Sequence, residues 1–321
     1  MDYAGKSFVV TGGAGFIGSH MVDALLARGA QVTLVDNFST GFEEFLPTHT
    51  SLVVARGDLL DFDFLQRTFA GHDFVFHFAA NADVREGLKY PRRDVEQNTL
   101  ATHNVLEAMR ANGIRRIAFS STGAIYGDTT VIPTPEDAPF PVQTSLYGAS
   151  KVAGEGLLTA YAHGYGFETF IYRFVSLLGP RYTHGHVMDF YRKLRDNPAK
   201  LDVLGDGHQK KSYLHILDCV RAMLTIVEKS ASKDGVHIYN IGHSAWLEVN
   251  ESIGIICREL KVSPELTYAG GERGWVGDSP RLLLDTNRLR GLGWVPEIDV
   301  AAGVVDTLNF LMENEYCLRR K

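Results

Sequence analysis

The sequence of 321 residues is poor in several features that would point to particular classes of protein. Its three cysteines, Cys219, Cys257 and Cys317, are scattered, so neither a disulfide framework nor a thiolate metal site is predicted. The 12 histidines show no paired-ligand spacing, and we expect no metal. The sparse, unpaired cysteines favour a reducing compartment and hence a cytoplasmic location.

Excess positive charge and long apolar runs are lacking as well. The formal net charge of −6 gives no electrostatic reason to expect binding to nucleic acid or to an anionic membrane. No apolar run approaches the roughly 20 residues of a transmembrane helix, and the residues before the first predicted strand do not lead us to expect a signal-type segment. With 45% hydrophobic and 22% charged residues, the composition predicts a soluble globular protein of one or two domains.

A glycine-rich loop near the N-terminus is the most informative feature that is present. The stretch 11–18 reads TGGAGFIG, between an apolar strand pattern and an amphipathic helix pattern. Two versions of a phosphate-binding fingerprint fit it: G-x-G-x-x-G on Gly13, Gly15 and Gly18, and G-x-x-G-x-x-G starting at Gly12. Glycines let the backbone approach a pyrophosphate, and the following helix N-terminus offers free N–H groups to it. The loop therefore predicts a dinucleotide site.

Asp36 indicates which dinucleotide is bound. It ends the second predicted strand, 31–35, where a carboxylate accepts hydrogen bonds from the adenosine ribose and repels a 2′-phosphate. The next residues, 37–40, include no Arg that could receive that phosphate. The sequence therefore favours NAD over NADP.

Predicted strands and helices alternate through the first half of the chain. The strands are predicted at 7–10, 31–35, 52–55, 74–78, 115–120 and 167–174, and helices at 17–28, 95–109 and 145–163. This alternation predicts an α/β fold, a doubly wound parallel sheet of the Rossmann type. In the helix over 95–109, Val95 and Thr99 are expected on the buried side with Val105.

The pattern changes after residue 176, which predicts a division of the chain. Residues 1–176 are expected to form an NAD-binding Rossmann domain, to which segments near 215–245 return. Residues 177–321 are expected to form mainly a smaller C-terminal α/β substrate-binding domain. There, 236–241 is predicted as an isolated strand and 249–260 as a helix.

A possible catalytic pair follows the fifth predicted strand. Tyr147 and Lys151 lie four residues apart on a predicted helix and so share a face. A fixed ammonium favours the phenolate and would lower the pKa of Tyr147 toward that of a general base. The hydroxyls of 120–122 end a strand that a parallel sheet can bring beside this helix. The alternative is an ordinary surface contact between the two side chains.

These motifs together resemble those of a known family. The segments concerned are TGGAGFIGSH (11–20), DNFSTG (36–41), GDLLD (57–61), VFHFAA (75–80), FSSTGAIYGD (119–128), LYGASK (146–151), YRFVSLLGPR (172–181) and VLGDGHQKKSYLHILD (203–218). They are similar to the extended short-chain dehydrogenase/reductases, and within them to the NAD-dependent nucleotide-sugar epimerases of the UDP-glucose 4-epimerase type. The resemblance runs nearly from end to end.

The resemblance implies a role for individual residues. It implies a catalytic group of four residues: Tyr147 as base, Lys151 as its partner and ribose ligand, Thr122 as the hydroxyl that bridges the sugar 4-OH, and Ser121 as a second contact in that cluster. The cofactor contacts predicted from the loop and the resemblance are Gly12, Gly15, Phe16, Ile17, Gly18, Asp36, Asn37, Ser39, Thr40, Gly41, Asp58, Leu59, Phe78, Ala79, Ala80, Ala82, Asn98, Ser120, Tyr147, Lys151 and Phe174. The substrate contacts are Arg85, Ser121, Thr122, Tyr147, Ser176, Arg181, His186, Val187, Val203, Lys211 and Arg273.

The residues after Thr122 bear on the reaction. Relatives that dehydrate sugars carry an Asp-Glu pair there and those that decarboxylate usually a Glu, whereas this chain has Gly123 and Ala124. What remains is reversible hydride transfer, and the resemblance implies that it occurs at C4 of a UDP-hexose or UDP-hexuronate, as in a nucleotide-sugar 4-epimerase. The alternatives are a nucleotide-sugar oxidoreductase such as a 4-keto-sugar reductase, and a catalytically silent NAD-binding regulator.

Other positions bear on substrate and assembly. Ser176 and His186 stand where many epimerases carry Asn, which concerns substrate identity. Arg181 could contact the substrate or form a surface ion pair, and His77 is expected to be a satisfied core histidine. The helices over 93–112 and 146–163 match those of a four-helix dimer interface in the family. The resemblance therefore implies a homodimer.

Overall fold

The computed structural model describes residues 2–139, 142–274 and 281–319, with Arg85, Glu86 and Arg319 described by their backbone alone. In chain order its strands are β1 (Ser7–Thr11), β2 (Gln31–Asp36), β3 (Leu52–Arg56), β4 (Phe74–His77), β5 (Arg116–Thr122), β6 (Glu168–Phe174), β7 (Ser176–Leu178), β8 (Lys200–Val203), β9 (Lys210–Lys211), β10 (Tyr213–His215), β11 (Val236–Ile241), β12 (Leu247–Glu248), β13 (Glu265–Tyr268) and β14 (Arg281–Leu282).

The α-helices are α1 (Phe16–Leu26), α2 (Phe62–Thr68), α3 (Pro91–Asp94), α4 (Ala101–Ala111), α5 (Leu146–Tyr165), α6 (His186–Asp196), α7 (Ile216–Lys229), α8 (Val249–Leu260), α9 (Asn287–Arg290) and α10 (Val300–Glu313). Short 3-10 turns occur at Glu43–Phe45, Val84–Leu88, Gly123–Tyr126 and Glu315–Arg319, and a π-helix at Val95–Leu100. Among the described residues, no helix combines the length and apolar composition needed to cross a membrane.

The main sheet has seven strands in the order β11-β6-β5-β4-β1-β2-β3, and all neighbours pair in parallel. This confirms the predicted doubly wound α/β fold. The segment 236–241, predicted as an isolated strand within the region near 215–245 that returns to the Rossmann domain, is the edge strand β11 of this sheet. It pairs with β6 from Val236 opposite Thr169 to Ile241 opposite Phe174. The predicted division of the chain after residue 176 stays a prediction.

The order of the strands reverses between β1 and β4, which lie side by side. The chain runs outward through β2 and β3 on one side and through β5 and β6 on the other. In such sheets ligands bind beyond the carboxyl ends of the strands at this switch point. Thr11 pairs with His77 there, so the loops after β1 and β4 leave the sheet together.

Both faces of the sheet are covered by helices, as the apolar sequence of its strands requires. Phe8 and Val10 of β1 pack into one hydrophobic cluster, while Val9 between them packs into another. Burying a side chain of this size stabilises the fold by roughly 1.5–3 kcal/mol. The main sheet is thus a rigid platform for the loops at its carboxyl edge.

The helix predicted over 95–109 differs from the structure. The helical segment starts at Pro91 and contains the π-helix, whose wide turn alters which residues face inward. Val95 is 49% exposed, whereas Asp94 and Asn98 are buried. The expected burial of Val95 is therefore wrong, because the prediction assumed an unbroken α-helical period.

The rest of the chain forms three small sheets. β7 pairs with β10, β8 with β13, and β9 lies between β12 and β14. In the described part of the chain, no group of three or more His, Cys, Asp or Glu side chains is arranged to hold a metal ion.

Candidate active site

The glycine loop lies at the switch point and leaves no room for side chains. Gly12 has φ +67°, and a Cβ there would lie 2.6 Å from the backbone nitrogen of Ala79 after β4. A Cβ on Gly18 would collide with the carbonyl oxygen of Gly12. Helix α1 begins at Phe16, and its N-cap Gly15 has no side chain to bind the first N–H groups. These free donors and the open backbone fit the pyrophosphate of a dinucleotide.

Asp36 joins the loop after β2 to the glycine loop. Its Oδ2 accepts a hydrogen bond from the backbone N–H of Ala14 at 3.0 Å, and its Oδ1 accepts one from Phe38 at 2.8 Å. Next to it, the Asn37 side chain donates to Asp58 at 3.0 Å. The carboxylate therefore keeps a fixed orientation at the edge where an adenosine ribose would lie.

Arg56 is a neighbour of this site that the sequence reasoning missed. It ends β3 directly opposite Asp36, and its guanidinium lies 4.1 Å from the ring centroid of Phe38. Its Nη2 also forms an ion pair with Glu43 at 2.8 Å. Arg56 was missed because only the residues directly after Asp36 were considered as partners for a 2′-phosphate. The parallel pairing of two predicted strands, which places the end of β3 beside the end of β2, could have located it.

The other predicted cofactor residues lie near or after the carboxyl ends of the strands, except for Ile17 in α1 and Asn98 in the π-helix. Those in exposed or partly exposed loops are Ser39, Thr40, Gly41, Ala79, Ala80 and Ala82, together with Ile17 in the first turn of α1. Those that are buried are Leu59, Phe78, Asn98, Ser120 and Phe174. Their contact with a cofactor stays a prediction.

Lys151 is buried beneath the end of β5. Helix α5 starts at Leu146, after the N-cap Ser145 has accepted a hydrogen bond from the N–H of Gly148. One turn later, the ammonium of Lys151 donates to the carbonyl oxygen of Ser120 at 2.7 Å and lies 3.5 Å from its hydroxyl. Lys151 is only 2% exposed. The sheet thus brings the serine–threonine cluster beside this helix, as expected.

The electrostatics of the pair differ from the expectation. Burial raises the pKa of Tyr147 to about 12, although a hydrogen bond with the Thr122 side chain opposes this and the charge of Asp94 adds to it. Burial also lowers the pKa of Lys151 to about 7, against the charges of Glu155 and Asp94. The expected net lowering of the Tyr147 pKa is therefore wrong, because burial outweighs the effect of the Lys151 ammonium, which donates to Ser120 and lies 6.0 Å from the phenol ring centroid.

Thr122 and Ser121 have different environments at the end of β5. Thr122 caps the turn that follows, accepting from the N–H of Ala124 at 3.1 Å. The Ser121 hydroxyl is buried and donates to Glu155 at 2.5 Å. Glu155 in turn forms a two-bond ion pair with Arg173, at 3.0 and 2.8 Å. Ser121 therefore lies in a buried ionic network, and its predicted contact with a sugar stays a prediction.

Glu155 and Arg173 are residues that the sequence reasoning missed. Glu155 follows Lys151 by four residues on the same face of α5, and Arg173 interrupts the apolar β6. The guanidinium of Arg173 also donates to the hydroxyl of Tyr126 at 2.7 Å, and that hydroxyl donates to Asn240 on β11 at 2.9 Å. The network therefore connects the end of β5 with the edge strand β11.

His77 is the satisfied core histidine that the sequence predicts. Its ring nitrogens lie 2.7 Å from the Thr11 hydroxyl and 3.0 Å from the Thr102 hydroxyl. Burial lowers the pKa of His77 to about 3. The imidazole is therefore neutral and held in place, with a structural role.

The predicted cations of the substrate site have different partners. Arg181 forms an ion pair with Asp23 of α1 at 2.7 Å, which is the surface ion pair left open by the sequence. Arg273 forms one with Asp128 at 2.8 Å in an exposed position. The side chain of Arg85 lies outside the described residues, as does the loop segment 275–280 that follows Arg273.

His186 begins α6 next to Lys211. Its Nε2 lies 2.8 Å from the Ser252 hydroxyl, and its ring centroid lies 4.9 Å from that of Tyr213. Burial, followed by the positive charge of Lys211, lowers the pKa of His186 to about 3. This histidine is therefore a neutral hydrogen-bonding group near a cation.

Three further predicted substrate residues differ in exposure. The side chains of Val187 and Val203 are buried in the hydrophobic core, so only their backbones could contact a ligand. Ser176 begins β7 and is exposed. The contacts of all three with a substrate stay predictions.

Comparison with known proteins identifies the family. The sequence profile of the NAD dependent epimerase/dehydratase family matches residues 8–242. This chain belongs to that family. Its similarity extends beyond the profile: a UDP-glucose 4-epimerase of Corynebacterium glutamicum is 32% identical over 305 residues, covering 90% of this chain and 90% of its own.

Solved structures of similar proteins agree with this assignment. A crystal structure of a UDP-galactose 4-epimerase is 38% identical, with a TM-score of 0.87 over 96% of this chain and 99% of its own. A UDP-glucose 4-epimerase of Thermus thermophilus in complex with NAD is 32% identical, with a TM-score of 0.84 over 95% and 99%. Membership of the epimerase family and its NAD dependence are thus confirmed, whereas a homodimer stays a prediction.

Proposed function

We propose that this protein is an NAD-dependent nucleotide-sugar 4-epimerase acting on a UDP-hexose or a UDP-hexuronate. One observation carries the proposal: the hydrogen-bonded pair of Tyr147 and Thr122 lies at the carboxyl edge of the sheet that also carries the glycine loop. A proton acceptor and a hydride acceptor can therefore act on the same carbinol. The names of the similar proteins, UDP-glucose and UDP-galactose 4-epimerases, support UDP-sugars as the substrate class.

The residues of the site suit the reversible oxidation of a secondary alcohol. NAD, when bound, would supply a reversible hydride acceptor for a sugar carbon. Tyr147, as phenolate, takes the hydroxyl proton from the sugar and returns it when the keto group is reduced on its opposite face. Thr122 orients the reacting hydroxyl, and Lys151 supplies a positive charge that favours the phenolate. Because burial raises the pKa of Tyr147 to about 12, this positive charge and that of oxidised nicotinamide are both needed near neutral pH.

The turn after Thr122 lacks the acidic and basic side chains that the elimination of water from a sugar would require. A Cβ on Gly123 would lie 3.0 Å from a methyl group of Leu282 and 3.3 Å from the carbonyl oxygen of Phe174. An acidic side chain at this position would therefore need space that these neighbours occupy. Ala124 has no ionisable group either. A keto sugar formed at this site lacks the acid and base that would direct it toward dehydration.

The diphosphate of the substrate needs cations and hydrogen-bond donors. Lys211 and the neutral His186 lie close enough for the charge of Lys211 to lower the pKa of His186. They are our first candidates, together with Arg85 and Arg273. Arg181 is a weaker candidate, because its ion pair with Asp23 already satisfies part of its guanidinium.

A direct test uses the purified protein with no added cofactor. UDP-glucose, UDP-galactose, their N-acetyl forms and the UDP-hexuronates are incubated separately, and C4 inversion is followed by proton NMR. We expect inversion of at least one sugar without stoichiometric release of NADH. Stoichiometric NADH and no inverted product would refute the epimerase and favour the oxidoreductase.

A pair of matched variants tests the role of the phenol. Tyr147→Phe should reduce kcat by about 10²–10⁴, the usual contribution of a general base, with little change in NAD binding. Tyr165→Phe on the same helix is the control, because Tyr165 is 52% exposed. Undiminished turnover in Tyr147→Phe would disprove this mechanism, whereas a wild type that turns over none of these sugars would favour a catalytically silent NAD-binding regulator.

A further inference from the structure

Asp94 is a buried carboxylate whose position the reaction as described does not explain. It has no exposed surface, and its Oδ1 accepts hydrogen bonds from Asn81 at 2.8 Å and from Asn98 at 3.4 Å. Its Oδ2 has no hydrogen-bond partner among the described residues. A Cβ on Gly87 would lie 2.6 Å from this oxygen, so the backbone of the 84–88 turn lies directly against it. Burying a carboxylate without a full set of partners is costly.

The π-helix places this polar group inward at the expense of apolar residues. Asp94 and Asn98 are buried, while Val95 and Leu100 are each 49% exposed. A helix that contributed only to the hydrophobic core would bury its apolar residues and expose its polar ones. π-Helical turns occur frequently at functional sites, because they re-aim side chains without ending the helix.

A chain of hydrogen bonds connects Asp94 to the first turn of α5. The Asn98 side chain, which contacts Asp94, also donates to the Ser150 hydroxyl at 2.9 Å. That hydroxyl donates to the carbonyl oxygen of Tyr147 at 2.7 Å. Asn98 further holds the loop after β4, since its Oδ1 accepts from the N–H of Asn81 at 2.8 Å. The carboxylate is thus mechanically connected to the turn that carries the phenol.

The charge of Asp94 acts on the same turn. Two carboxylates favour the charged form of Lys151, those of Glu155 and Asp94, and among the described residues neither lies within 4 Å of its ammonium. Glu155 has the larger effect of the two and also forms an ion pair with Arg173 at 2.8 Å. Asp94 forms no such ion pair within the described part of the chain. It is therefore the carboxylate whose negative charge is not cancelled by direct contact with a cation.

Other charged groups also face Asp94 and set its own titration. Burial raises the pKa of Asp94, and Asp83 from the loop after β4 adds to this. A hydrogen bond from Asn81, then the charges of Arg93 on its own helix and of Lys151 on α5, act in the opposite direction. Tyr147 faces it from α5 as well, since the charge of Asp94 raises the pKa of the phenol.

We propose that Asp94 is a positioning residue for the Tyr147–Lys151 pair: through Asn98 and Ser150 it fixes the first turn of α5, and its carboxylate is a second counter-charge, besides that of Glu155, that favours the protonated form of Lys151 in the buried site. The inference rests on the proposed function, because it assigns the pair to catalysis. Asp94 itself is not among the predicted contacts with the sugar or the cofactor.

Two substitutions separate the charge from the hydrogen bonds. Asp94→Asn keeps an oxygen that can accept from Asn81 and Asn98 but removes the negative charge. Asp94→Ala removes both. Glu96→Gln is the matched control, because Glu96 lies on the same helical segment, pairs with Arg92 at 2.6 Å and has a partly exposed side chain.

The activity of these variants is measured as a pH profile of kcat and KM. Losing the negative charge disfavours the ammonium and favours the phenolate, so both limbs of the kcat profile should move to lower pH in Asp94→Asn. KM should change little. Asp94→Ala should in addition lose about tenfold to 100-fold in kcat, since the first turn of α5 is no longer held. Glu96→Gln should match the wild type.

A second measurement does not depend on turnover. In protein labelled with ¹³Cε-lysine, the Lys151 signal is assigned with Lys151→Arg and titrated by NMR. Its midpoint should fall in Asp94→Asn and stay unchanged in Glu96→Gln. An unchanged midpoint together with an unchanged pH profile in Asp94→Asn overturns the inference. If the wild type inverts no sugar but the midpoint still falls, the proposed function fails while the counter-charge assignment stands.

Discussion

Replacing Lys151 with Met should make the fold more stable while removing activity. An ordinary lysine has a pKa of 10.5, and burial lowers that of Lys151 to about 7. Because each pKa unit is worth about 1.4 kcal/mol, keeping this ammonium charged in the fold below pH 7 costs about 5 kcal/mol. Met has a similar length and no charge, so it fills the same space without this cost.

Part of this gain is offset by a lost hydrogen bond. The ammonium of Lys151 donates to the carbonyl oxygen of Ser120 at 2.7 Å, and Met cannot replace it. A buried carbonyl left without that donor costs roughly 1–3 kcal/mol. The net expectation is that Lys151→Met raises the free energy of unfolding at acidic pH by about 2–4 kcal/mol.

The pH dependence gives the prediction a distinctive sign. Between the folded pKa of about 7 and the unfolded value of 10.5, the unfolded chain holds the Lys151 proton and the folded chain does not. The wild type therefore gains stability from this group as the pH rises through that window. Lys151→Met lacks this gain, so its advantage should be largest below pH 7 and shrink as the pH rises.

Urea unfolding followed by circular dichroism at about pH 6 and about pH 9 measures this difference. Lys200→Met is the matched control, because the Lys200 side chain is 49% exposed and its substitution should change stability by no more than about 0.5 kcal/mol. A Lys151→Met variant less stable than the wild type at pH 6, or an advantage that does not shrink with pH, would refute the reasoning. Its turnover should be lost at both pH values.

Two further predictions concern the cofactor loop. Asp36→Asn should weaken NAD binding about tenfold because it loses a charged acceptor, and it should reduce the preference for NAD over NADP because a carboxylate no longer repels the 2′-phosphate. Titration with both cofactors measures this, and an unchanged ratio of their dissociation constants would contradict it. Gly18→Ala should abolish NAD binding and lower the free energy of unfolding by at least about 2 kcal/mol, because the added Cβ would collide with the Gly12 carbonyl. Gly164→Ala is the control, since no atom lies within 4 Å of its Cβ, and it should be neutral or raise the free energy of unfolding by up to about 1 kcal/mol. Equal behaviour of the two variants in unfolding and NAD titration would exclude this role of the loop.

The fold could be predicted closely because local and global signals agree. The strands of the main sheet are short apolar runs separated by turns or amphipathic helices, and most of their predicted bounds match the structure within two residues. β11 and α8 match at both ends. The pairing of β11 with β6 was not predictable in the same way, because a strand sequence does not specify which edge of a sheet it joins.

The site could be predicted only where its residues follow a local motif. Gly12 and Asp36 belong to one strand–loop–helix–strand unit, so spacing alone locates them. Asp94 and Arg56 are near the site through the π-helix and through the register of two strands, and neither relation is written in a short motif. The pKa of Tyr147 depends on how deeply it is buried and on where Lys151 donates, which spacing does not reveal.

Two buried charged groups on α5, Glu155 and Lys151, differ in how fully the fold satisfies their hydrogen bonds. Glu155 has its partners within the fold, since Arg173 binds both of its oxygens and Ser121 donates to one. Lys151 has three N–H donors, and Ser120 supplies the only acceptors for them among the described residues, at 2.7 and 3.5 Å. A buried ammonium whose N–H donors are not all hydrogen-bonded lowers the stability of the fold unless a ligand accepts the remaining hydrogen bonds. We therefore expect cofactor binding to raise the pKa of Lys151 and to recover part of the stability that the free protein forgoes.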